Sequence, residues 1–176
     1  MKRISADRVR EIEDITLSLL EEVYPDEFSV PVPIDKIAKN YGLSIEVVPD
    51  FEGLEKEKGE PVSGSFNRDQ KKISVLQGES YGRKAFSVAH ELGHYFLHKD
   101  KKEEVLLRTD ALAVGHDHDP METEANVFAA NLLMPRFLVE KYWKKTNDIR
   151  VLSTLFGVSQ VAMRYRLMNL GLLHDE

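Results

Sequence analysis

The stretch that most constrains this chain is Ala85 to His98, AFSVAHELGHYFLH, which contains His90-Glu91-Leu92-Gly93-His94. Residues four apart on a helix lie on one face, one turn above the other. Two imidazoles so placed can share one divalent cation, and the Glu between them can reach a water on that cation. Coincidence of composition is the competing reading. The flanks decide against it: Phe86, Ala89, Gly93, Phe96 and Leu97 are apolar or small, so the pair belongs to a largely buried helix. A buried His pair with a Glu needs a partner for its polar atoms, and a metal ion supplies one.

The bulk numbers narrow the chemistry further. A chain of 176 residues fits one domain with at most a small appendage. An apolar fraction of 42% and a charged fraction of 31% describe a soluble globular protein with a real core. A net charge of −6 and a pI of about 5.6 disfavour nucleic acid and anionic membranes as partners. With no cysteine, disulfides and thiolate metal sites are excluded, leaving His, Asp and Glu as ligands. The N-terminal MKRISADRVREIEDI lacks an apolar signal core, and no apolar run approaches the roughly 18 residues of a membrane span. The expected location is the cytoplasm.

Along the chain, Val9, Ile12, Thr16, Leu19, Leu20 and Val23 trace an amphipathic helix over 7–23. Residues 33–42 predict a short helix with Pro at its start and Gly past its end. Leu43, Ile45 and Val47 alternate as a half-buried strand, and the charged stretch 50–60 reads as a surface loop. Residues 62–66 and 72–76 predict a hairpin around Asn67-Arg68-Asp69-Gln70. Gly64 in its first strand suggests a bulge or a close backbone approach, and an edge strand there could hold an extended peptide. A plain edge with a loosely packed Gly is the alternative. The charge run from Lys99 to Glu104 reads as a solvated helix exit. Residues 105–120, with His116 and His118, read as a polar loop; as a lesser role, either His could donate to a substrate oxyanion.

A further helix runs from Met121 to Met134 and is halted by Pro135. Glu122, Ala125, Asn126, Ala129 and Leu133 share one stripe, small and apolar but for the Glu and Asn. An inward Glu on such a face needs a partner, and the metal supplies it as third ligand. Asn126 can then hold a ligating imidazole. The alternative for Glu122 is a helix N-terminal Glu favoured by the dipole. Glu124, well round the helix from Asn126, is expected to face water. After a helix over 136–145, the tail reads as helix, short Gly turn at Gly157 and helix ending at Gly171, a helix-turn-helix pattern. Only Gln160, Arg164 and Arg166 could read DNA from it, so packing or protein recognition is favoured over direct DNA binding.

AHELGHYFLH, the segment Glu122 to Pro135, the Val158 to Leu167 tail and the Ser63-Gly64 strand together resemble the ImmA/IrrE family of metallopeptidases. The likeness covers roughly Pro31 to Leu172. It implies an α+β, zincin-like fold with a small, mostly antiparallel sheet packed on helices. The expected division is a metallopeptidase domain over 1–146 and a helix-turn-helix-like segment over 147–176 packed on it. The resemblance implies ligands His90, His94 and Glu122, with Glu91 as general base. It also implies a substrate class: helix-turn-helix repressors whose cleavage switches on phage, mobile-element or stress genes. Some family members carry a long C-terminal sensor domain; with the chain ending at Glu176, any trigger is expected from outside.

Zinc suits a His, His, Glu ligand set best, with manganese or iron admissible. Three protein ligands leave one tetrahedral position for a water, whose pKa then falls to roughly 7. Glu91 would take its proton and pass it to the leaving amine. The rival reading is a non-catalytic binding module with a structural zinc closed by a fourth ligand, such as His98, His116 or His118, docking on a repressor or a toxin–antitoxin partner. His98 reads more simply as a helix C-terminal cap. A free-standing peptidase clearing damaged protein is a third possibility.

Overall fold

A computed structural model describes residues 4–26, 28–53, 62–99, 103–107 and 120–174, the 103–107 stretch as backbone alone. Most of the charged stretch at 50–60, the run 100–102, and His116 and His118 lie outside the described residues. The first helix, α1, spans Ala6–Val23. The Ser5 side chain accepts from the Arg8 backbone N–H at 3.1 Å, satisfying one of the donors a helix start leaves open. Its buried face is Ile12, Thr16, Leu19, Leu20 and Val23, the stripe that periodicity predicts. Helix α2 spans Ile34–Asn40 and stops where Gly42 turns left-handed at φ 70°.

Strands β1 (Ser44–Val48), β2 (Val62–Asn67), β3 (Lys72–Leu76) and β4 (Glu103–Leu107) form one mixed sheet in the order β1-β3-β2-β4. β1 runs parallel to β3, while β2 is antiparallel to both β3 and β4. The sheet is thus mostly antiparallel, as expected. The β2–β3 hairpin turns through Asn67, whose Oδ1 accepts from the Gln70 N–H at 2.9 Å, and Lys71 at φ 50°.

One expectation fails here. β2 is not an edge, because β4 pairs along its free side, with a register shift between Val62 and Gly64. The run that reads as a solvated helix exit continues into this strand. Backbone pairing asks little of side-chain polarity, so charge masked the strand in the sequence. Strand addition to β2 is therefore blocked, and β4 occupies that position.

Helix α3, Tyr81–Leu97, starts at the Ser80 cap and carries the two His. Helix α4 spans Pro120–Leu133, α5 Arg136–Thr146, α6 Ile149–Phe156 and α7 Gln160–Asn169. α6 begins at the Asp148 cap, Gly157 turns at φ 65°, and α7 begins at the Ser159 cap, which matches the helix, Gly turn, helix pattern. The pair sits on the rest of the core: Leu152, Phe156, Met163 and Leu167 are buried in the cluster that holds Val88, Leu92 and Phe128. A Cβ on Gly82, near the start of α3, would come within 2.7 Å of the Gly157 carbonyl oxygen, so only glycine allows this approach. Arg166 turns inward rather than outward. It donates to the Met134 carbonyl at 2.9 Å and the Asn131 Oδ1 at 2.7 Å, which removes one of the three candidate DNA contacts.

Candidate metal centre

Helices α3 and α4 meet because both present small residues at their crossing. A Cβ on Gly93 would lie 2.9 Å from the Ala125 Cα, closer than any real contact allows. This contact faces the middle of His90–His94 with the start of α4, where Glu122 stands. His90, Glu91 and His94 are buried, at 1%, 0% and 1% exposure. Glu122 is only half-buried, its side chain 39% exposed.

The ring nitrogens and the carboxylate converge. His90 Nε2 lies 2.9 Å from His94 Nε2, Glu122 Oε2 lies 3.2 Å from His90 Nε2, and Glu122 Oε1 lies 3.3 Å from His94 Nε2. Their donor atoms fall within 4.8 Å of one another, a group that could hold a metal ion. Bonds of 2.0–2.1 Å at tetrahedral angles place ligand atoms about 3.3 Å apart. The two carboxylate edges match that length, and the imidazole edge is a few tenths of an ångström short. Burial raises the Glu122 carboxyl, but when the two rings are protonated their hydrogen bonds and charge outweigh it and hold the group well below the usual carboxylate range, so the carboxylate calls for positive charge at this point.

The protons favour a cation as well. Asn126 Oδ1 lies 2.8 Å from His90 Nδ1 and can only accept, so in the neutral ring that a metal ligand must be, the proton sits on Nδ1 and the Nε2 lone pair faces the carboxylate. A lone pair aimed at an anion inside a protein is repulsive until a positive ion lies between them. The donor set therefore fits a divalent cation of the His and carboxylate-binding kind.

Glu91 lies on the same helix between the imidazoles. Its Oε1 would be 3.4 Å from a Cβ at Gly64, and Ser87 Cβ would be 3.3 Å from it. Gly64 thus places β2 against the acid. Of the two expectations at this glycine the bulge is present, as the register shift between Val62 and Gly64, and what approaches it most closely is side chains of α3 rather than another backbone.

Glu124 contradicts expectation, and His98, Arg8 and Arg68 complete the surroundings of the site. Glu124 does not face water: its side chain is 19% exposed, and Oε2 accepts from Arg8 Nη2 at 2.6 Å. The Arg8 hydrogen bond holds the Glu124 carboxyl below its ordinary value, and Arg8 is raised in return. His98, at the C-cap of α3, does not join the donor group. Its Nδ1 lies 3.1 Å from His94 Nδ1, on the far side of that ring, and its Nε2 lies 3.2 Å from Glu124 Oε2. The signal for His98 was available, since it repeats the four-residue step of His90 and His94. No local signal points to Arg8, 116 positions from Glu124. Arg68, in the β2–β3 turn, donates to the carbonyls of His94 and His98, each at 3.0 Å, and so closes the open end of α3.

Comparison with known proteins shows the family and a shared fold. Residues 51–168, well over half of the chain, match the profile of a peptidase family described as the IrrE N-terminal-like domain. Among solved structures, a Mycobacterium tuberculosis transcriptional regulator has a similar fold, with a TM-score of 0.62 at 17% identity over 93% of this chain. The chain spans about half of that protein, 47% of its length. No curated protein matches. No described helix is long and apolar enough to cross a membrane.

Proposed function

The chain belongs to the IrrE N-terminal-like peptidase family, and from that premise we propose that it is a zinc-dependent endopeptidase that cleaves a helix-turn-helix repressor and so releases the genes it silences. The observation that carries this reading is the fully buried Glu91 on the helix that brings His90 and His94 together with Glu122. A site needed only to hold the fold together has no use for that acid.

In this reading His90, His94 and Glu122 hold the ion. A bound zinc supplies Lewis-acid polarisation of a peptide carbonyl and makes a water acidic near neutral pH. Glu91 accepts the proton of the attacking water on its carboxylate and returns it to the departing amine. Asn126 fixes the tautomer and tilt of His90. Residues 147–176 serve as a helical unit seated on a 1–146 peptidase domain, and the cytoplasm is the place of action. Support for a regulatory role comes from the fold shared with a transcriptional regulator.

The second reading, a non-catalytic module docking on a repressor, needs a fourth protein ligand. His98 is directed at the other nitrogen of His94 and does not supply one, and among the described residues only His90, His94 and Glu122 form a donor group, while His116 and His118 lie outside them. The test is incubation of zinc-loaded protein with the repressor encoded beside it, with fragments read by mass. Glu91→Gln should keep its zinc and lose roughly a hundredfold or more in cleavage rate. A variant that cuts at the wild-type rate would sink the assignment.

A further inference from the structure

We infer that Arg8, on α1, is a positioning residue of the metal centre that acts on His94 through Glu124 and His98. The inference rests on His90, His94 and Glu122 being the metal ligands. Arg8 lies outside the 51–168 stretch matched by the family profile, so this layer comes from a part of the chain that the profile does not span.

The chain of contacts has one possible direction. If His94 gives its Nε2 lone pair to a metal, its ring proton must sit on Nδ1. That N–H faces His98 Nδ1 at 3.1 Å, which must accept. His98, neutral, then carries its own proton on Nε2, 3.2 Å from Glu124 Oε2. A carboxylate can only accept, so the order closes there. The same Oε2 accepts from Arg8 Nη2 at 2.6 Å. Both imidazole N–H donors point away from the metal site and lead to the Glu124 carboxylate, to which Arg8 donates from the other side.

This makes the two imidazoles unequal. His90 is held by a neutral amide oxygen from Asn126, and His94 by an imidazole backed by a carboxylate. An anion at the end of the array draws the His94 Nδ1 proton outward and leaves Nε2 the stronger donor. Arg8 settles where that anion sits. Without it, Glu124 keeps a route to solvent and no longer holds one orientation toward His98. A plain helix-to-helix ion pair would hold α1 on α4 with no effect on metal binding. Glu13–Arg136 is such a pair: the Arg136 Nε donates to the Glu13 Oε1 at 2.6 Å, between α1 and α5 and away from the site.

The experiment measures zinc affinity of the full chain by chelator competition, cobalt(II) absorption spectra, and the melting temperature of the metal-free protein. His98→Leu should weaken zinc binding by about 10- to 100-fold, as loss of such outer partners does elsewhere. Arg8→Leu should weaken it by roughly tenfold, with Arg8→Lys recovering part of the loss. The double variant should bind no more weakly than His98→Leu alone, because both changes cut one path. The cobalt spectrum should shift in both single variants. Glu13→Gln should lower the melting temperature of metal-free protein and leave affinity and spectrum unchanged. Arg8→Leu with wild-type affinity, Arg8 and His98 losses that multiply, or Glu13→Gln matching Arg8→Leu each overturn the inference while leaving the proposed function in place. Wild-type protein that takes up no zinc removes both.

Discussion

Replacing Gly93 by Ala tests how tightly the crossing of α3 and α4 is coupled to the proposed metal site. The new Cβ would meet the Ala125 Cα at 2.9 Å, its carbonyl oxygen at 3.2 Å and its Cβ at 3.3 Å. None of these is the end of a flexible side chain, so the helices must part. Reaching the 3.4 Å at which ordinary contact begins moves them by about half an ångström. In stability the change is partly offset. Overpacking costs roughly 1–3 kcal/mol, and Ala gains about 1 kcal/mol over Gly in a helix interior. The net loss is at most about 2 kcal/mol, or roughly 8 °C in melting temperature for a chain of this size. Metal binding has no such compensation. Coordination distances tolerate about 0.2 Å, and Glu122 rides on the helix that retreats. Zinc affinity should fall at least tenfold, about 1.4 kcal/mol. Chelator competition gives the affinity and a melt of metal-free protein gives the stability. Gly78→Ala, where a Cβ meets nothing within 4 Å, is the control. A Gly93→Ala protein that melts earlier yet binds zinc like the wild type would refute the coupling.

Glu122→Ala should abolish stoichiometric zinc, whereas Glu124→Ala should retain it with affinity weakened about 10- to 100-fold; metal analysis after dialysis separates them, and the reverse order would show the wrong carboxylate was chosen. Arg166→Met strips two hydrogen bonds from a buried cation that burial pushes down to about 10, and leaves the Asn131 oxygen without its donor. A loss of about 2–3 kcal/mol is expected by denaturant unfolding, and a change within a few tenths would contradict the buried geometry. The Arg136 hydrogen bond lowers the Glu13 carboxyl. A depressed folded value means this contribution is fully present above the ordinary carboxylate value near pH 4.3 and is lost as pH falls from there through the lower folded value. Glu13→Gln should therefore flatten the acid side of the stability curve of metal-free protein, by at most about 1 kcal/mol for so exposed a pair. An unchanged acid limb would show that the pair does not form in solution.

Much of this architecture was legible from local pattern. Helix α1 runs where its stripe of Ile12, Thr16, Leu19, Leu20 and Val23 places it, and the helix, Gly turn, helix pattern of the tail turns at Gly157 as read. Helical spacing alone brought His90 and His94 to one face, and the composition of the Glu122 stripe pointed it inward. These features depend on contacts within a few residues, which periodicity and capping chemistry encode directly. The edge assigned to β2 and the solvent exposure assigned to Glu124 failed for one reason. Both positions are decided by elements far away in the chain, β4 and Arg8, and neither leaves a trace in the local pattern.

The sequence by itself determined the helices, their ends, the hairpin and the residue types that can bind a metal. Only the tertiary structure decided that Glu122 reaches both imidazoles, that Gly93 lets α3 meet α4 at Ala125, and that Arg166 turns inward. It also decided that His98 braces His94 instead of joining the donor group. The physical reason is range. Backbone hydrogen bonds and side-chain spacing act over one turn, whereas packing and charge pairing join positions more than a hundred residues apart, whose partners are known only once the chain has closed on itself.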